Sequence, residues 1–315
     1  IRPLKDVLCL IKLFFLFRSK KYDIVHTHSS KAGILGRLAA FLAGVPVIVH
    51  TIHGLPFHPY EKKWINRMYI FLEWLSSKIT RKIIVVSDQM RIKALEEKVG
   101  HPTQYQTVFS GMRLDEFLEA QKFRSQVRRE LGIPEGSIVI GKIARLFPLK
   151  GHEYILKIAR NLVAFEPRII FLWVGDGILK ESYLDQIKGM GLEKHFRFTG
   201  LVRPETIPGY LSAMDFLVHV SLREGLARVL PQALAAGVPL VSFDIDGAKD
   251  IIKDGENGFL VPPEDAEALQ SRLMQLIQNP ELAEHFKKTG KQVVDPFFRD
   301  SYMVQELLKV YRQCL

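Results

Sequence analysis

The chain has 315 residues, enough for two hydrophobic cores, and its 47% hydrophobic and 25% charged side chains are the balance of a globular protein rather than a fibrous or disordered one. Only two cysteines occur, Cys9 and Cys314 at opposite ends, which excludes a disulfide framework and a cysteine zinc site and fits a reducing cytoplasm. The net charge of +10 belongs wholly to the early part: residues 1–130 carry 22 Lys and Arg against 11 Asp and Glu, and residues 131–315 carry 22 against 23.

A basic first part favours an anionic partner. No RNA-binding signature or helix-turn-helix pattern is present, so an anionic membrane surface ranks ahead of nucleic acid, with solvated surface charge as the plain alternative. The most apolar run, Val7 to Phe17 (VLCLIKLFFLF), is too short to span a bilayer and is interrupted by Lys12. Flanked by Lys5 and by Arg18, Lys20 and Lys21, it predicts a helix packed on a sheet, or else one lying on a membrane surface. No cleavage site follows it, so it is not a signal peptide. The chain opens on Ile1 directly into helix-like sequence, and a segment upstream is expected.

Short apolar runs then alternate with helical patterns almost to the end. Strands are predicted over Ile24–Thr27, Val47–Thr51, Ile83–Val86 and Thr107–Phe109, with helices over Lys31–Ala43, Lys62–Ser77 and Asp88–Lys98. Further strands follow over Ile138–Ala144, Ile169–Val174, Phe196–Phe198, Phe216–Val220 and Leu240–Ser242. Mostly apolar strands separated by helices predict parallel sheets covered on both faces. The fold class is therefore α/β, two Rossmann-like doubly wound domains facing each other across a cleft. A charged helix running into Gly132-Ile133-Pro134-Glu135-Gly136 marks the join. That gives domains over 1–130 and 131–297, and a segment 298–315 whose helix, Tyr302–Gln313, is expected to cross back to the first domain.

The chemistry-bearing residues gather where the carboxyl ends of these strands should lie. Ser221 to Gly237 (SLREGLARVLPQALAAG) places Glu224 in a turn after a strand and ahead of a helix, the geometry in which parallel sheets hold anionic ligands. The turn residues Gly225, Leu226 and Ala227 are expected to bind the same ligand. After Ile138–Ala144, Arg145 and Lys150 flank a tight Pro-containing loop closed by Gly151, and two fixed cations suit a diphosphate. Gly175-Asp176-Gly177 and Thr199-Gly200-Leu201-Val202 are turns that let a ligand approach the backbone. In the first part, His26-Thr27-His28 and His53-Gly54 close two strands, and a histidine there can donate to a sugar hydroxyl or a phosphate. The histidines have no carboxylate or cysteine at ligand spacing, so they are not a metal site. Asp244-Ile245-Asp246 matches a DxD metal clamp only formally, at a strand end with its own turn role.

Taken in order, His28 to Gly54, Ala144 to Gly151 (ARLFPLKG), Val174 to Gly177 (VGDG), Glu224 to Gly237 and Asp254 to Pro263 (DGENGFLVPP) resemble retaining glycosyltransferases of family 4, and the likeness spans nearly the whole chain. The resemblance implies a GT-B fold whose first domain lacks its opening strand and glycine-rich loop. The subgroup most resembled builds capsular, O-antigen or glycoprotein glycans on polyprenyl diphosphate lipids. By position, Arg145 and Lys150 are similar to the pair that holds the donor diphosphate, in place of a metal ion. Glu224 matches the first Glu of an E-x7-E signature and would contact donor-sugar hydroxyls; Gln232 stands where the second Glu grips the ribose. His53 matches a histidine near the sugar's outer hydroxyl. Ser110-Gly111 stands where Asn-Gly is usual.

The implied reaction is transfer of a hexose or N-acetylhexosamine from a nucleotide diphosphate sugar, UDP by preference, to a glycan or polyprenyl-diphosphate-linked acceptor. No cofactor and no metal are implied, anomeric configuration is retained, and the location is cytoplasmic or peripheral on the inner face of the membrane. No enzymic nucleophile is evident, which suits a front-face mechanism. Two other readings remain: a UDP-sugar epimerase of similar architecture, and a nucleotide-binding module without catalysis. The missing opening segment makes loss of activity in this stretch of chain a further expectation.

Overall fold

The computed structural model describes residues 3–315, which form two compact α/β units: residues up to Ser110 together with Ser301–Leu315, and Gly111–Asp300. In the first unit, α1 (Pro3–Lys20), β1 (Ile24–His28), α2 (Ser30–Leu42), β2 (Val47–Ile52), α3 (Lys63–Ser77), β3 (Lys82–Val85), α4 (Asp88–Glu96) and β4 (Tyr105–Thr107) follow in turn. The strands make a parallel sheet in the order β1-β2-β3-β4. All six residues of β2 are buried, as an unbroken apolar run covered on both faces requires.

On one face, Val47, Val49 and Ile84 pack against Met303, Leu307 and Val310 of the C-terminal helix Asp300–Cys314. On the other, α2 comes close to the strands because a side chain at Gly33 would stand 2.3 Å from His50 Cε1, and one at Gly36 would stand 2.8 Å from Thr27 Cγ2. Buried Arg37 of α2 is held by the Gly33 carbonyl (3.1 Å) and by Glu73 of α3 (2.7 Å), so neither charge lies unpaired in the core. Helix α1 lies against α2 and shows Leu4, Leu8, Ile11 and Phe15 to solvent, four positions of one helical stripe. Among the described residues no helix is long and apolar enough to cross a membrane.

The second unit starts with α5 (Leu114–Leu118) and α6 (Arg124–Glu130). Then come β5 (Ile138–Ile143), α7 (His152–Phe165), β6 (Ile169–Val174), α8 (Lys180–Met190), β7 (Phe196–Phe198), α9 (Ile207–Ala213), β8 (Phe216–His219), α10 (Val229–Ala235), β9 (Leu240–Phe243), β10 (Phe259–Val261), α11 (Ala266–Gln278) and α12 (Pro280–Val294). All six strands are parallel, in the order β10-β9-β8-β5-β6-β7. The order reverses between β5 and β8, a topological switch point whose carboxyl ends flank a crevice. Across β6 and β7 Phe171 stacks on Phe196 at 4.7 Å, and Trp173 meets Phe196 and Phe198 edge to face at 5.3 Å.

Two sequence readings differ from the structure in detail. The strand expected at Thr107–Phe109 lies two residues earlier, after a 3-10 turn over Pro102–Gln104. The units divide at Ser110/Gly111, not near residue 130, because α6 belongs to the second core. Arg124 and Arg128 both clamp Asp215 (2.5 and 2.6 Å), and Asp215 in turn accepts from the Val139 amide at 2.7 Å. The two ends of the second unit pass close to each other, since a Cβ at Gly111 would meet Asp300 Cα at 2.6 Å.

Candidate active site

Loops at the carboxyl ends of β9, β8, β5, β6 and β7 lie side by side in the second unit, and hydrogen bonds stitch each to its neighbour. Gly247 N–H donates to the Gly225 carbonyl (3.3 Å), Leu222 to Leu149 (2.8 Å), Leu146 to Asp176 (2.9 Å) and Gly175 to Gly200 (3.1 Å). Glycine is demanded at the seams. Gly151 has φ +75°, and a Cβ there would stand 1.8 Å from the Val220 carbonyl oxygen; at Gly175 (φ +141°) it would stand 2.1 Å from that of Ala144. At Gly177 the distance to the Leu146 oxygen would be 2.3 Å. The close approach they permit joins loop to loop along one rim.

On that rim Lys150 Nζ lies 2.5 Å from Glu224 Oε1, and both side chains are partly buried. Burial alone would raise the Glu224 carboxyl. The Lys150 charge, with hydrogen bonds from Lys150 and Ser221, outweighs that and holds it below the ordinary carboxylate value. His219 is itself buried and uncharged at neutral pH, so Lys150 is the effective partner. Asp246 Oδ2 accepts the Glu224 amide at 2.7 Å and so fixes the turn from behind.

Arg145 is exposed, its guanidinium 5.0 Å from the Phe147 ring, on the same loop as Lys150. Leu226 and Ala227 are buried, Leu201 is exposed and Val202 half-buried. Gln232, half-buried, lies on α10, whose first turn begins five residues beyond Glu224, at Val229. The acidic turn is thus separated from the helix by Gly225–Arg228. Asp244 pairs with Lys249 at 2.9 Å, and Asp246 is engaged by the Glu224 turn, so each Asp of the DxD pattern has a structural task.

A buried polar layer lies beneath this rim. Lys142 in β5, His152 at the start of α7 and His219 at the end of β8 are almost wholly buried, and Lys142 Nζ, both His152 ring nitrogens and His219 Nε2 have no hydrogen-bond partner. Burial drives the Lys142 ammonium down to about 7, against the pull of Glu224, and holds His219 at about 3 and His152 at about 2. The only available signal was a Lys inside an otherwise apolar strand, IVIGKI.

The first unit holds a separate histidine cluster at the carboxyl ends of β1 and β2. His53 is exposed, and its Nε2 lies 3.0 Å from His28 Nδ1. His26 stacks on His28, ring centroids 4.3 Å apart. His50 points to the opposite face of the sheet, where Thr27 Oγ1 meets its Nδ1 at 2.9 Å, and burial holds it uncharged down to about 2. Among the described residues, no group of three or more His, Cys, Asp or Glu is placed to hold a metal ion.

Chemically, the second-unit rim offers two cations and a carboxylate beside a switch-point crevice, where an anion with a polyhydroxylated appendage would be met. Comparisons with known proteins bear on the family. Residues 123–293 match the family Glycosyl transferases group 1, and residues 2–115 match Glycosyltransferase Family 4. The chain is 31% identical over 297 residues to the UDP-Gal:alpha-D-GlcNAc-diphosphoundecaprenol alpha-1,3-galactosyltransferase of Escherichia coli, covering 93% of this chain and 76% of that one. It is 23% identical over 315 residues to the capsular polysaccharide biosynthesis glycosyltransferase CapM of Staphylococcus aureus, covering 98% and 82%. In fold it is similar to Anabaena Alr3699/HepE in complex with UDP, with a TM-score of 0.86 at 21% identity over 96% of this chain and 82% of that one. Two parallel α/β units, the ordered motifs and these matches lead to one conclusion: the chain belongs to glycosyltransferase family 4, enzymes of the GT-B fold that transfer sugars from nucleotide sugars.

Proposed function

We propose that this glycosyltransferase moves a hexose or N-acetylhexosamine from a UDP-sugar to a glycan carried on a polyprenyl diphosphate, with retention of configuration and without a metal ion. The observation that carries this reading is the Lys150–Glu224 pair at the switch point, 2.5 Å apart on a rim of stitched loops. Each side chain neutralises the other. A diphosphate would draw Lys150 and Arg145 to its oxygens, and Glu224 would be released to accept from sugar hydroxyls. The two cations then offset charge on the departing nucleotide, which a metal would otherwise do. Gln232 can accept and donate one hydrogen bond each to the ribose, and His53 is assigned to the sugar's outer hydroxyl.

The donor and acceptor classes rest on the names of relatives, one a UDP-galactose enzyme acting on a lipid-linked GlcNAc and one a capsular glycosyltransferase. A lipid-linked acceptor also accounts for the basic first unit and for the apolar stripe of α1, which suit the anionic inner face of a membrane. The test is a transfer assay on the full open reading frame, with each UDP-sugar in turn, a GlcNAc-diphosphate-lipid acceptor and excess chelator. An α-linked product formed with chelator present is expected. A new sugar nucleotide made without acceptor would point to epimerisation instead, and activity abolished by chelation would remove the metal-free assignment.

A further inference from the structure

His53 does not stand alone on its sheet edge. Tyr311, on the C-terminal helix, places its hydroxyl 2.5 Å from His26 Nδ1, with the two rings edge to face at 5.7 Å. The other His26 nitrogen, Nε2, lies 2.7 Å from Thr51 Oγ1. Burial and the nearby His28 and His53 hold His26 at about 4, so the ring is neutral and carries one proton. A phenol is the stronger donor. Tyr311 therefore donates to Nδ1, and the His26 proton sits on Nε2 and donates to Thr51. Locked at both nitrogens, His26 offers a fixed face to His28 (centroids 4.3 Å, interplanar angle 29°). His28 in turn stacks on His53 (5.3 Å, 22°) and holds its Nε2 at 3.0 Å. One end of this row is a helix 285 positions along the chain from its first histidine; the other end is solvent-exposed.

We propose that Tyr311 is a positioning residue for the transfer reaction, orienting the His53 ring through His26 and His28. The proposal rests on the reading of His53 as a sugar contact. The C-terminal helix thereby becomes part of the site's scaffold as well as of its core. Nucleotide binding does not pass through this row, whereas sugar orientation does.

The test combines histidine ring 15N spectra with kinetics on the full open reading frame. In the wild type, His26 should appear as the Nε2–H tautomer. Tyr311→Phe should shift the ring signals of His28 and His53 as well as those of His26. It should also lower kcat about 3- to 10-fold, the size of one lost hydrogen bond, with UDP affinity unchanged. Thr51→Val, which removes the other lock, should act in the same direction and serves if Tyr311→Phe folds poorly. In a His53→Ala background, Tyr311→Phe should cause no further loss, since a purely structural role would add. His28 and His53 signals that stay at wild-type positions while His26 moves would overturn the proposal, as would additive kinetic losses. Undiminished turnover in His53→Ala would identify the sugar-contact reading as the fault, and the catalytic part of the proposal would fall with it.

Discussion

Glu224 and Lys150 neutralise each other at 2.5 Å, yet their proposed ligands differ, the sugar for one and the diphosphate for the other, and single substitutions should separate them. Glu224→Ala should cut turnover about 100-fold or more while free UDP binds almost as before, because its partner is the sugar; losing one preorganised contact to a reacting group has that order of effect. Gln232→Glu should keep or tighten UDP binding by giving the ribose a charged acceptor. Abolished UDP binding in Glu224→Ala would mean the roles are misassigned. Lys142 behaves differently, since its buried ammonium has no hydrogen-bond partner and is depressed to about 7. The unfolded chain holds that proton up to the ordinary lysine value near 10.4, so the cost of burial is complete below pH 7 and fades as pH rises toward that value. Lys142→Met should therefore stabilise the protein by on the order of 1–3 kcal/mol at pH 6 and by much less at pH 9.5, read from urea unfolding at both values. Equal effects at the two pH values would contradict the assignment. The burial of Lys142 was only faintly legible in the sequence, where it is one polar residue in IVIGKI and nothing indicates which side chains will bury it.

Glycine seams set the precision of the rim at the scale of loops and strands. A methyl group at Gly151 would meet a backbone carbonyl at 1.8 Å, and backbone cannot swing aside as a side chain can. Gly151→Ala should cost about 3 kcal/mol or more and take UDP binding with it. At Gly132, φ is +57° with nothing nearby, and the same substitution should cost only the left-handed penalty of roughly 1 kcal/mol. Urea unfolding of the two variants is the check, and similar losses would mean that the seam is not rigid. The strands of both units were legible because long apolar runs between helical patterns leave little choice. Strand β10 was not, being three residues inside DGENGFLVPP. The unit boundary was missed for a related reason: the charge of α6 reads as a solvated linker, whereas Arg124 and Arg128 are spent on Asp215, more than eighty residues away. The site was legible as residue types at strand ends. The loop-to-loop bonds that fix their geometry, and the Asp246 anchor of Glu224, were not, since they depend on which strands become neighbours.

Taken whole, the molecule combines a basic unit with a neutral one. Residues up to Ser110 and from Ser301 onward carry 19 Lys and Arg against 8 Asp and Glu, so moving the boundary leaves the excess where it was. Sedimentation with vesicles should show binding to anionic and not to neutral lipid, released by high salt, at roughly 1 kcal/mol per basic side chain near the surface. Neutralising Lys12, Lys20 and Lys21 together should weaken it, and salt-insensitive binding would favour a soluble acceptor. Acid should unfold the protein early. His26, His50, His152 and His219 are held at about 4, 2, 2 and 3, while the unfolded chain takes up those protons near 6.5. Stability should therefore fall steadily as pH drops below about 6.5, and a midpoint flat between pH 7 and 4 would contradict this. The central claim is that Arg145 and Lys150 hold a nucleotide diphosphate without a metal. Calorimetric titration of UDP into wild type, Arg145→Ala and Lys150→Ala, all with chelator present, tests it most directly. Wild type should bind UDP, and each variant should bind it more weakly by about 1.5–3 kcal/mol, roughly 10- to 100-fold. Equal affinity in all three proteins, or binding that appears only when a divalent ion is restored, would contradict it.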